Sequence, residues 1–180
     1  MSVISDIMLR CVAVEKEAMT AYDIEADSWP YFRHVQEDYP YFTHRLGTST
    51  YSFDSESIQD RIVTVEIRMF VGHRTEGYAE NTSEVENRLF SYIEIVRKAY
   101  ACRTLGDLPA GAWLISDTYP TEAMFSDPIT GNEYTIQEMG VALTSDSGYT
   151  EFSQSNIGTV QLGTRFNLEI PLMQRVGGIY

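Results

Sequence analysis

From Val160 to Leu172 the chain alternates with period two. Val160, Leu162, Thr164, Phe166, Leu168, Ile170 and Leu172 fall on one side, and Thr159, Gln161, Gly163, Arg165, Asn167 and Glu169 on the other. Successive side chains of a strand point to opposite faces, so this pattern predicts a long strand with one face on a core. A second segment behaves the same way: Val63, Val65, Ile67, Met69 and Val71 interleave with Thr64, Glu66 and Arg68. Before it, Tyr41 to Phe53 is rich in aromatic and β-branched residues, which suit a strand. The turn Asp54-Ser55-Glu56-Ser57 between them predicts an antiparallel hairpin. Pro171 removes one ladder donor and so predicts a strand terminus or a sheet edge.

Two other segments carry the helical period. Ile4, Ile7, Met8, Cys11, Val14 and Ala18 form one face of a helix over residues 3–22, with Glu15, Lys16 and Glu17 mostly off it. Ser83-Glu84-Val85-Glu86 is a capping box. It opens a helix to about residue 103, striped by Val85, Leu89, Tyr92, Ile93, Val96 and Tyr100. Asp23 to Asp38, with Trp29, Pro30, Tyr31 and Phe32, reads as a loop with an aromatic anchor. Ala112 to Ile115, which includes Trp113, reads as a short strand, and Thr118 to Pro128 as loop. Tyr134 to Leu143 reads as a strand broken at Gly140. The polar, serine-rich stretch 144–158, with Tyr149, Phe152 and Ile157 as its large apolar groups, reads as a mobile loop. This order predicts one domain over 1–180. Its class is α+β: a mostly antiparallel sheet of about five strands with two long helices packed on one face.

Charge narrows the function. Thirteen Lys plus Arg stand against 26 Asp plus Glu, a net charge of −13. Such a chain repels phosphate backbones, so a DNA-gripping role is disfavoured. No segment approaches the ~18 consecutive apolar residues of a membrane span. The acidic start Ser5-Asp6 lacks a leader's basic residues, so synthesis in the cytoplasm is expected. Cys11 and Cys102 sit among apolar residues and read as reduced core thiols.

No chemical signature stands out. His34, His44 and His73 have no His or Cys at ligand spacing, and glycine patterns for nucleotide loops or a nucleophile elbow are missing. The acidic run 54–60 lacks the glycine and distal glutamate of a calcium loop. No catalytic, cofactor-binding or metal-binding residues are therefore expected. Each histidine reads first as a surface or turn residue. His44 and His73 flank the predicted hairpin, however, and a small α/β enzyme built on that pair and scattered acids is one alternative. The remaining cue is surface: sheet edges are templates for added strands, and the 12 tyrosines suit protein interfaces. Trp113, Tyr149, Phe152 and Arg165 are the interface candidates.

The element order is itself suggestive. An amphipathic helix leads through an aromatic loop to Tyr39-Pro40-Tyr41-Phe42, then to the strand 63–71, the helix 83–103 and the terminal strand 161–172. This order resembles the tail terminator (tail completion) proteins of long-tailed bacteriophages, over most of residues 1–175. The resemblance implies a structural virion protein, not an enzyme. Such a protein forms a homo-oligomeric ring, a hexamer, that ends tail-tube polymerisation and offers the head-side docking surface. Its partners would be copies of itself, the tail tube protein and a neck or connector protein. DNA would pass through without specific binding, and the protein would sit at the virion's tail–neck junction after synthesis in the host cytoplasm. The length of the 144–158 insertion keeps a head–tail connector or neck protein as the alternative.

Overall fold

The periodic segments fold as their periods require. The computed structural model describes residues 3–33, 38–55, 58–75, 82–100, 124–126, 133–136, 142–154 and 159–175. In chain order these form α1 (Val3–Thr20), β1 (Asp27–Trp29), β2 (Tyr41–Ser55), β3 (Ile58–Thr75) and α2 (Thr82–Tyr100). There follow β4 (Met124–Ser126), β5 (Glu133–Ile136), β6 (Ala142–Asp146), β7 (Thr150–Gln154) and β8 (Thr159–Arg175). The class is α+β, with a mostly antiparallel sheet and two helices. The sheet is six strands across, β1-β2-β3-β8-β5-β4, and β6 and β7 also pair with β8. Of the described pairs, β1–β2 is parallel and the rest are antiparallel.

The three long strands are the ones that periodicity marks: β2 pairs with β3 as the expected hairpin, and β3 runs alongside the full length of β8. The inner face of β3, Val63, Val65, Ile67, Met69 and Val71, joins Phe166, Leu168 and Ile170 of β8 in one core. Ile7, Cys11 and Val14 of α1 and Val85, Leu89, Ile93 and Val96 of α2 close over it, so both helices cover the same sheet face. Each large aliphatic side chain buried there contributes about 1.5–3 kcal/mol. A left-handed residue, Asp23 (φ 57°), ends α1. Ile24 N–H donates to the Met19 carbonyl and Asp23 N–H to that of Thr20, the hydrogen bonds of a Schellman cap. Among the described residues no helix is long and apolar enough to cross a membrane.

Several expectations need correction. The polar stretch 144–158 is not a mobile loop where it is described, because β6 and β7 both pair with β8. Polar side chains build the turn between them. Ser147 N–H donates to the Arg165 carbonyl at 2.9 Å, and its Oγ accepts from Arg165 N–H at 2.9 Å, so Ser147 continues the ladder. Gly148 has φ +60° and donates to Asp146 Oδ1 at 3.0 Å, an Asx-type turn that needs those residues. Pro171 lies in an interior strand and not at an edge. On the second side of β8, β6 pairs up to Glu169 and β5 starts at Leu172, so Pro171 falls in the gap between them. The Asp23–Asp38 loop contains β1, 118–128 contains β4, and Tyr134–Leu143 is divided between β5 and β6. The expected strand around Trp113, the end of the second helix beyond Tyr100, and Cys102 lie outside the described residues.

Candidate functional site

Two polar constellations occupy opposite sides of the sheet. On the inner side, Glu15 of α1 is buried, contrary to its expected place off the apolar face. It lies four residues after Cys11, hence on the same stripe, where α1 wedges between β1, β2 and α2. Its Oε2 accepts from Ser28 Oγ at 2.6 Å, and its Oε1 accepts from Tyr100 OH at 3.2 Å. His44 of β2 is also buried, not a surface or turn histidine, with Nε2 3.0 Å from Glu15 Oε1 and Nδ1 2.6 Å from the Trp29 carbonyl oxygen. A carbonyl and a carboxylate can only accept, so both ring nitrogens donate and His44 is an imidazolium. Burial works to lower its pKa, but the Glu15 charge, the Glu15 hydrogen bond and the Trp29 carbonyl together raise it. Burial, reinforced by the Glu15 charge, pushes the Cys11 thiol far above its ordinary range. Sealed from solvent, this cluster ties α1, β1, β2 and α2 together and offers no access for a substrate.

On the outer side, register places Tyr41, Phe70 and Gly163 in one row, Thr43, Arg68 and Arg165 in the next, and Arg45, Glu66 and Asn167 in a third. These rows hold three arginines and one glutamate, in a chain whose net charge is −13. The Arg68 guanidinium lies between two rings, 5.0 Å from the centre of Phe32 and 5.5 Å from that of Phe152. Its Nε donates to Glu66 Oε1 at 2.6 Å, while Arg165 Nε is 3.7 Å from Glu66 Oε2, beyond hydrogen-bond reach. Beneath them Phe70 stacks on Tyr41 at 4.7 Å and meets Phe152 edge-on at 5.1 Å. Gln161 Nε2 donates to the Tyr41 hydroxyl. Arg33 adds another cation over the Trp29 ring, 4.4 Å from its centre. The result is an outer face on which Tyr41 and Phe70 are buried, Arg68 is paired with Glu66, and Arg33, Arg45 and Arg165 stand more exposed.

Of the interface candidates, Phe152 and Arg165 both lie on this outer face, Phe152 against the Arg68 guanidinium and Arg165 opposite Arg68 across the strands. Tyr149 does not: its ring packs against the helix-side core. Trp113 lies outside the described residues. His44 and His73 do not converge. His44 is opposite Ile67, and His73 lies six positions on from Ile67, about 20 Å along a strand. The His73 ring instead stacks on Tyr39 at 5.6 Å. Phe32, Glu66 and Arg68 complete the surface without having been singled out. Glu66 and Arg68 stand on the polar side of an alternating strand, and only its register against β8 brings them to Arg165. Among the described residues no three His, Cys, Asp or Glu side chains are grouped to hold a metal ion. No family model and no curated protein matches this chain.

Proposed function

We propose that the protein is a structural component of a phage tail, a ring that caps the tail tube, ends its polymerisation and presents the head-side docking surface. The observation that carries this reading is the arginine and aromatic outer face. It lies opposite the helix layer and is out of character for so acidic a chain. A contact between two unlike faces is heterologous, and such a contact closes into a ring when its rotation permits. The rim of the sheet supports the same reading. The β1 pairing covers only Tyr41 to Thr43 of β2, and beyond it Leu46 and Tyr51 are exposed along an edge with no described partner strand. The acidic balance suits a lumen through which DNA passes without sticking. Native mass spectrometry and negative-stain imaging of the purified protein test the proposal. A ring with a central hole is expected. Monomer alone across micromolar concentrations, with and without tube protein, overturns it.

A further inference from the structure

We infer that the proton on His44 controls the seat of the segment Tyr31-Phe32-Arg33 on the outer sheet face, and that β1 transmits the control. β1 is where the two polar constellations touch. On its inner side Ser28 Oγ donates to Glu15, and His44 Nδ1 donates to the Trp29 carbonyl at 2.6 Å. The side chain of Trp29, one residue beyond Ser28, takes the opposite side by strand alternation. Its indole carries Arg33 at 4.4 Å and Tyr31 at 6.4 Å, and Phe32 rests over the Arg68 guanidinium at 5.0 Å. β1 itself is three residues long and pairs with Tyr41 to Thr43, so few ladder bonds oppose its movement.

A neutral imidazole has one N–H, and His44 faces two acceptors. The remaining proton stays with the Glu15 carboxylate, because a hydrogen bond to a charged acceptor is the stronger. Nδ1 then turns a lone pair toward the Trp29 carbonyl oxygen, and two acceptors at 2.6 Å repel. The carbonyl has to move, and the residues that follow it are those of the segment. Neighbouring groups do not supply the same change. Glu15 of α1 is the charge that acts on His44. Burial pushes Cys11 of α1 and Tyr100 of α2 far above their ordinary ranges, so both stay neutral. Arg10, also buried on α1, keeps its charge. Asp27 is the carboxyl group of β1 itself, and Ile67, opposite His44 on β3, does not titrate. Burial works to lower the His44 pKa, but the Glu15 charge and the two hydrogen bonds raise it above 6.5. The segment is therefore seated at pH 6.5 and below, and is released as pH rises through the folded value.

This coupling lies within one chain and holds whether or not copies assemble. Coupling is also reciprocal: where deprotonation unseats the segment, a weaker seat lowers the affinity for the proton. NMR titration of the histidine imidazoles in the full chain tests it, with the His44 signal assigned by its absence in His44→Gln. Phe32→Ala, which alters no charge, is expected to lower the His44 pKa by about 0.7, a loss of about fivefold in proton affinity. Phe90→Ala removes a more exposed phenylalanine, from α2, and is expected to leave that pKa unchanged. In a Trp113→Phe background, Trp29 fluorescence should change with the same midpoint as the His44 signal, and Glu15→Gln/His44→Gln should abolish that transition. A His44 pKa that Phe32→Ala leaves unmoved, or that Phe90→Ala moves equally, overturns the coupling. Trp29 fluorescence that stays flat while His44 titrates overturns it too.

Discussion

Nε2 of His44 lies 3.0 Å from Oε1 of Glu15, and neither side chain has any exposed surface. Desolvating two charges is expensive, and the pair persists because Ser28, Tyr100 and the Trp29 carbonyl satisfy the remaining polar atoms. Removing one partner leaves the other charge buried alone. Glu15→Ala or His44→Ala is therefore expected to cost about 3–5 kcal/mol in urea unfolding, and the double variant less than the sum. The pair also sets a pH dependence. The folded protein raises the His44 pKa above its ordinary 6.5, so it holds a proton that the unfolded chain releases. The resulting stabilisation is complete below pH about 6.5 and is lost as pH rises through the folded value. Urea midpoints should fall with rising pH above neutrality. A Glu15→Gln/His44→Gln double variant, which leaves no buried charge behind, should show a flatter profile; an equally steep one would remove the pair as the cause.

Cys11 shares this environment, and its reactivity should report the integrity of the core. The thiolate is the reactive species, and burial raises the Cys11 pKa far out of the physiological range. In a Cys102→Ser background, a disulfide reagent at pH 8 is expected to leave Cys11 unmodified in the folded protein and to label it fully in denaturant. Rapid labelling without denaturant would show that α1 opens readily from the sheet.

What the sequence disclosed followed from period. Alternation located β3 and β8 and the side of each that faces the core, because a strand with one buried face leaves no other pattern. Helical stripes located α1 and α2 for the same reason. The short strands β6 and β7 stayed hidden because they lie along the rim of the sheet, where an apolar face is not required. There Ser147 and Asp146 work through hydrogen bonds and not through burial. Glu15 and His44 were illegible for the opposite reason: each is a polar residue on an apolar face, satisfied by partners far away in sequence. The outer site was half legible. Arg165 and Phe152 stood out as surface residues, but their meeting with Arg68 and Glu66 depends on strand register, which no local pattern encodes.

Gly163 illustrates how register creates a residue requirement. It sits opposite Phe70, next to the irregularity between Phe70 and Gly72, and the β3 backbone presses directly on it. A Cβ added there would fall well inside contact distance of the Met69 carbonyl oxygen, and that backbone atom cannot swing aside. Gly163→Ala is expected to destabilise the protein by about 1–3 kcal/mol, the range of an overpacked core. Thermal unfolding measures it. Gly148→Ala gives a contrast in mechanism, since nothing lies within 4 Å of its added Cβ and only the φ of +60° resists the change. A neutral Gly163→Ala would mean that β3 and β8 separate at little cost.

Arg68 and Arg165 are directly opposite each other across β3 and β8, and like charges in that relation repel. Glu66, one row away, is what reconciles them, with Arg68 Nε at 2.6 Å and Arg165 Nε at 3.7 Å. The Glu66 and Arg68 side chains are 18% and 17% exposed, so solvent screens this trio less than a rim pair. Arg165 is 42% exposed, which weakens its share. Glu66→Gln is therefore expected to destabilise the fold by about 1 kcal/mol at low ionic strength, through lost attraction to Arg68 and uncovered repulsion between the arginines. Adding Arg165→Gln removes the repulsion and should recover part of the deficit. Raising the salt to about 0.5 M should shrink the difference between Glu66→Gln and the unaltered protein, because the remaining repulsion is screened. Urea titrations at the two ionic strengths measure all three effects. If Glu66→Gln is neutral at low salt, the arginines are held apart by Phe32 and Phe152 alone, and the carboxylate has no part in shaping the outer face.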